Sequence, residues 1–524
     1  KPRFPSSLLL RPRARAHANV LAMTEISMAG DVGSDVRLVL SPSLGSGSST
    51  SALHEAVRRV DAAAMGGLLQ EAPEAARQED PSGGLPLHLA AEAGRETLVD
   101  LLLEAFPEGA SARDASGRVP LDLAALLGHD VVVSRLLAAH AEGAAHRGTL
   151  GRLPLHVAAE AGHVAVVRDL LAVHPQGAKE EDNFGALPLH LAAAAPAMAQ
   201  ALVRELLRVH PEGAQVKAIG RLPLQLAIEH GNDAIVPLLL KAHPEGAKES
   251  MPDGRRPLHV AVEGGRQEVV DALLKAYPEG ASEKNQAGAL PLHLAAEGGH
   301  VGIIGSLLGS YAEGARQKSP KGKLPLHMAI SAKHLPERDL IVNQLLKAYP
   351  EAAKEKSRHG RLPLHVAAQR GQVLVVEWLL EIYPEAAQEK SNGELPLHAA
   401  VASGWEMIVA LLLHVYPDGA EEATAQGRLP LHLAMEQGRE GIADALLKVY
   451  PNGAAQASAS DGMLPLHFAC MKGCLKIVKR LLEVYPEGPK VMDSCGLLPH
   501  SYAAGKGYTE IVKTIEELHP NINS

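Results

Sequence analysis

Metal centres and acid–base pairs are built mainly from histidine, cysteine and carboxylate side chains. This chain of 524 residues holds 26 histidines and three cysteines. A zinc centre wants four such ligands at tetrahedral spacing, and a hydrolytic site wants a nucleophile within reach of a base. Cys470 and Cys474 lie four apart and could share a helix face, but no second pair follows, and Cys495 sits in a turn-rich stretch. The histidines obey a register instead. His54, His88, His156, His190, His259, His293, His327, His365, His398, His432 and His467 occupy one recurring place. His174, His210 and His243 stand where later copies carry Tyr277, Tyr349 and Tyr383. Tyrosine can replace histidine in edge packing but not in such a ligand set. Gly-rich turns such as Glu297-Gly298-Gly299 lack the Gly-Lys-Ser/Thr of a phosphate loop. We therefore expect no catalytic residue, no metal and no cofactor.

The register comes from a repeat. Leu-Pro-Leu-His recurs at Leu85, Leu153, Leu187, Leu290, Leu324, Leu362, Leu395, Leu429 and Leu464, with degenerate copies at Val119, Leu222, Arg256 and Leu498. Successive starts at 85, 119, 153 and 187 are 34 apart, and Leu53-His54-Glu55-Ala56 is a further copy in step, which makes fourteen units. In Leu153–Ala186, Pro154 opens a short first helix, where its missing N–H costs little. Gly162 ends that helix as a C-terminal cap. A second helix is expected from Val164 to His174, with Val164, Val167, Leu170 and Leu171 as its apolar stripe. Pro175 stops it, Gly177 opens a turn, and Asp182-Asn183-Phe184-Gly185 makes a hairpin tip. One such pair cannot bury its apolar face alone, so neighbours must stack.

Leu153-Pro154-Leu155-His156-Val157-Ala158-Ala159-Glu160-Ala161-Gly162-His163 resembles the ankyrin-repeat pattern Thr-Pro-Leu-His-x-Ala-Ala-x-x-Gly-His, and Leu290–His300 matches equally well. The resemblance covers about residues 52–519. It implies an all-α repeat fold, a solenoid of stacked helix-turn-helix units with protruding hairpin loops. It also implies that the recurring histidine ties neighbouring turns together by hydrogen bonds. Two departures stand out. Leu replaces Thr, removing a side-chain cap worth about 0.5–2 kcal/mol, and Tyr-Pro-Glu-Gly-Ala, as at Tyr277–Ala281, replaces the usual approach to the hairpin.

Composition fits thin helical layers: 46% of residues are hydrophobic but only 3% are aromatic. A net charge of −9 supplies no global basic field for nucleic acid. No apolar run approaches the ~20 residues of a membrane span, so no integral span is expected. Residues 1–50 are expected to be a disordered lead-in. Their first part carries Lys1, Arg3, Arg11, Arg13 and Arg15 without an acid, which reads as an organelle transit peptide or a spurious extension ahead of Met23. Residues 51–524 form the array. Arg58, Arg59 and Asp61 in the first unit, and Lys513, Thr514, Glu516 and Glu517 in the last, are expected as polar caps.

The family resemblance implies partner binding by hairpin tips and the exposed side of the first helices. Residues that break the repeat rhythm are the candidates. One tip carries Arg316, Lys318, Lys321 and Lys323, and the next carries Lys354, Lys356, Arg358 and Arg361 against Glu355 alone. Glu229, Glu263 and Glu297 share one position and are expected to form an acidic row. Pro196 and the insertion Lys333–Asp339 enlarge two turns, and Trp405 at an inter-helix turn is an exposed-anchor candidate. The expected function is a non-catalytic scaffold or adaptor, monomeric and cytoplasmic, holding an unidentified protein partner with an acidic segment and binding no nucleic acid. The alternatives are a tether for the cytoplasmic tails of membrane proteins and a regulatory part of a larger enzyme.

Overall fold

A computed structural model describes residues 52–195, 199–332 and 337–519. The expectations for residues 1–50, for Pro196 and for Lys333–Pro336 fall outside those residues. Among the described residues there are 28 α-helices in fourteen pairs, and the strand-like pairings are two isolated bridges, Ala218–Arg221 and Ser391–Glu394. The chain divides into two compact units, residues 1–257 and 258–524. The first holds six pairs, from Ala52–Arg59 with Ala62–Glu71 to Pro223–His230 with Val236–Ala242. The helix Pro257–Glu263 opens the second, which runs to Pro499–Lys506 with Thr509–Leu518.

The repeat that begins at Leu153 shows why each element forms. Pro154 is the first residue of the helix Pro154–Ala161, and Gly162 ends it with φ at +84°. The second helix is Val164–Val173, one residue shorter than expected. Its buried stripe is Val166, Val167, Leu170 and Leu171. Val164, expected in that stripe, is only half-buried, because the first residue of the helix still faces the turn.

A 3-10 turn, Pro175–Lys179, follows and was not expected from the sequence. Gly177 and Ala178 are buried in it, and a Cβ on Gly177 would stand 3.0 Å from the His174 ring and 3.3 Å from Leu153. The Tyr-Pro-Glu-Gly-Ala segments are therefore compact turns pressed under the leucines of their own repeats. The tip is closed by Asp182, whose carboxylate accepts the backbone N–H groups of Phe184 and Ala186 at 2.9 Å each. Neighbouring tips touch through backbone, as where Asn183 N–H donates to Leu150 C=O at 2.9 Å.

Burial compensates for the missing threonine cap. Leu153, Leu222, Leu324 and Leu362 show 0% exposure. Fully burying a leucine is worth about 1.5–3 kcal/mol, at least as much as the roughly 0.5–2 kcal/mol of the lost cap. Ala158 and Ala159 are equally buried, and such alanine pairs let first helices of adjacent repeats approach closely. That explains a 46% hydrophobic chain with few aromatics. Arg58, Arg59, Asp61, Lys513 and Glu517 are exposed, Thr514 and Glu516 half-exposed, and Asp61 caps its helix through Ala64 N–H at 2.9 Å. No helix among the described residues is long and apolar enough to cross a membrane.

Candidate partner-binding surface

The two basic tips lie side by side in the second unit: a Cβ on Gly322 would stand 3.1 Å from Arg358 Cβ. Their cations are not equivalent. Lys318 pairs with Glu355 at 2.6 Å and Lys356 with Glu389 at 2.8 Å, so each reaches to the following tip. The Lys356 hydrogen bond also holds the Glu389 carboxyl below its usual range. Arg316 pairs with Glu313 at 3.3 Å and lies over the Tyr349 ring, and Lys354 lies over Tyr383. Lys321, Lys323 and Arg358 make no ion pair among the described residues. Lys217–Glu249 and Lys390–Glu422 repeat the tip-to-tip pairing elsewhere. Sequence reading missed these links, although a cation in one tip and a glutamate 32 to 37 residues later carries the signal.

Seven of the recurring histidines make two bonds each. In His88, His156, His190, His293, His398, His432 and His467, Nδ1 accepts the backbone N–H at the head of its own helix, at 3.0–3.2 Å. Nε2 faces a carbonyl oxygen in the loop leading to the next repeat, at 2.9–3.2 Å. A backbone N–H can only donate and a carbonyl can only accept, so the ring is neutral with its proton on Nε2. Two substitutions confirm that the geometry is what matters. Gln225 accepts from Leu222 N–H at 3.0 Å and donates to Glu249 C=O at 3.1 Å. Asp122 accepts from Val119 N–H at 2.9 Å, and His146 stands against the same carboxylate oxygen at 3.2 Å. Burial pushes the imidazoles of His156, His190, His327, His365, His398 and His432 from 6.5 down to about 4.

Against families of known proteins, the model described as Ankyrin repeats (3 copies) matches residues 53–146, 197–287, 242–318, 292–387 and 382–456. Single ankyrin-repeat models match 150–179 and 461–491. The chain belongs to the ankyrin-repeat family. Among curated individual proteins no match is found.

Other side chains of this ankyrin array fall into registers of their own. One row precedes the second helices, and several of its members donate back to the end of the preceding repeat's first helix. His163 stands 2.9 Å from Leu126 C=O, Asn232 donates to Ala193 C=O at 2.7 Å, and Gln372 donates to Ile330 C=O at 2.9 Å. Trp405 belongs to this row: its indole N–H donates to Gln369 C=O at 3.1 Å, and its ring covers Gly371. It is 42% exposed. A second register is a rung across the first helix, from the residue before Leu-Pro to one eight places on. Arg152–Glu160 at 2.7 Å, Arg221–Glu229 at 3.2 Å and Arg428–Glu436 at 2.6 Å are examples. Glu229, expected in an open acidic row, is thus engaged by Arg221, while burial raises its carboxyl above the usual range. Cys470 is fully buried, with its thiol pushed up to about 12, and Cys495 is exposed.

Two predictions follow from these bonds. The neutral histidines accept protons only near pH 4, whereas in the unfolded chain they accept them below about 6.5. Their stability is therefore complete above pH 6.5 and is lost as pH falls toward 4, by about 1.4 kcal/mol per histidine per pH unit. Circular dichroism should show acid unfolding in that window. His398→Gln should fold normally and lower the acid midpoint, whereas His398→Ala should cost about 1–3 kcal/mol at neutral pH. For the back-donating row, Trp405→Ala should lower stability to urea by about 1–2 kcal/mol, and Trp405→His should recover most of it. Equal losses in both variants would contradict the hydrogen-bonding role.

Proposed function

We propose that this ankyrin protein is a non-catalytic scaffold or adaptor that holds a partner protein through hairpin tips and the exposed face of its first helices. Ankyrin repeats imply protein–protein interaction, and the family is typically non-catalytic. The observation that carries the finer reading is the pair of adjacent tips, Arg316–Lys323 and Lys354–Arg361, which hold eight cations and the single carboxylate of Glu355. Lys321, Lys323 and Arg358 have no ion pair among the described residues, and the exposed pairs of Lys318 and Lys356 are worth only about 0–1 kcal/mol each, so an incoming carboxylate can displace them. The partner chemistry this favours is an acidic segment, steered by charge and released by salt. The exposed edge of Trp405 supplies a further apolar contact on the same unit.

The test is capture from native lysate by the full chain at low salt, with bound proteins identified by mass spectrometry. Reversing Lys321, Lys323 and Arg358 to Glu should remove the captured partner. Reversing Lys241, Lys275 and Lys347, which are exposed on second helices, should leave it bound. Identical capture by both triple variants would reject the basic tips as the site.

A further inference from the structure

In the second unit the rung across the first helix is absent from several repeats, and in one of them a recess stands in its place. In the repeat beginning at Leu395 the two rung positions are Glu394 and Ala402, so no long side chain crosses the helix Pro396–Ser403. The residue after the recurring histidine is also truncated. Elsewhere in this unit that place holds Val260, Leu294, Met328, Val366, Leu433, Phe468 or Tyr502, but here it holds Ala399. Two short side chains on one exposed helix face leave a recess of about 250 Å³, lined by Ala399, Ala402 and Leu433 together with Arg361, Gln369 and Asn392. Ligand pockets run to about 300–1,000 Å³, so this one has room for a single bulky side chain and not for a cofactor.

The neighbouring rungs give the occupant its charge. Arg152, Arg221 and Arg428 each face a glutamate, but Arg361 bonds the neutral amide of Gln369 at 2.8 Å. One repeat further, Lys323 faces Ser331 at the matching positions and makes no ion pair among the described residues. Arg361 and Lys323 are thus adjacent rung cations without their carboxylates. On the other side of the recess the rung cation is already paired. Glu394 stands at the rim, and Arg428 is already engaged by Glu436 at 2.6 Å and Asp461 at 3.1 Å. Among the rung positions beside the recess, Arg361 and Lys323 are the cations without an ion pair among the described residues, and both lie on one side of it.

We propose that the recess takes one bulky apolar side chain of an extended acidic peptide from the partner protein, whose carboxylates lie along Arg361 and Lys323. This rests on the scaffold reading and specifies the partner segment. Packed helices stand about 8–10 Å apart and an extended chain rises about 3.3 Å per residue. Side chains of an extended chain alternate in direction, so the recognised segment has an acid about two residues from the apolar one, on the same face, and a second acid about two to four residues beyond that.

The experiment selects a displayed random-peptide library on the full chain, then measures the enriched peptides by fluorescence anisotropy. Enriched peptides should carry the apolar residue with acids spaced as above. Ala399→Leu with Ala402→Glu fills the recess with side chains that other repeats carry at these places, so folding is retained. It should weaken binding by roughly tenfold or more, the scale of losing an anchored side chain. Gln369→Glu gives Arg361 the carboxylate that Arg152 has, and should weaken binding several-fold with a shallower salt dependence. Unchanged affinity in either variant overturns the recess as the site, although peptide binding itself would leave the scaffold reading standing. A library with no enrichment also overturns the recess, and the scaffold reading is then decided by the charge reversals in the tips.

Discussion

The structure depends on a neutral imidazole that holds two backbone groups at once. Nδ1 takes an N–H that would otherwise be orphaned at the start of the first helix, and Nε2–H reaches a carbonyl in the loop to the next repeat. Each ring thus fixes the start of its own helix and couples its repeat to the loop that follows. Both partners are buried backbone groups, which cost free energy when left unpaired. Gln225 meets the same two demands with an amide. A side chain is accepted there for presenting an acceptor and a donor at the right separation, which is why so many histidines can exist in one chain without constituting a site.

Once the layers are fixed, every other position inherits a role from its place in the repeat, and departures from register become the places where binding can be specified. The rung of arginine and glutamate recurs in several repeats. At Lys323–Ser331 and Arg361–Gln369 the cation remains and the acid is gone; at Glu394–Ala402 the rung is lost outright. Tip-to-tip pairs such as Lys390–Glu422 show the same logic among the hairpins, with Lys321 and Arg358 left over. Charge that the fold does not consume is charge available to a partner.

Much of this was legible in the sequence because the repeat supplies a ruler. The position of Pro154, the cap at Gly162, the paired helices and the structural place of the histidines all follow from local rules applied in register. The compensating burial of Leu153 was legible in kind, and its completeness came from the structure. The missed features are contacts between side chains that register alone does not bring together. Val166 replaces Val164 in the buried stripe because the helix phase is set at the turn. Trp405 read as an anchor because a large aromatic at a turn looks exposed. Its bond to Gln369 depends on how far the second helix of one repeat sits from the first helix of the preceding one. The truncated pair Ala399 and Ala402 was visible in the sequence, but only a helix face seen beside its neighbours makes two alanines a recess.

The central claim concerns the protonation state of the recurring rings, and selective ¹⁵N labelling of histidine with two-dimensional NMR at neutral pH reads it directly. The account predicts neutral rings with the proton on Nε2 and a pyridine-type Nδ1 shifted by hydrogen bonding, insensitive to added zinc. Imidazolium rings, protons on Nδ1 or zinc-dependent shifts at His156, His293 and His398 would contradict it.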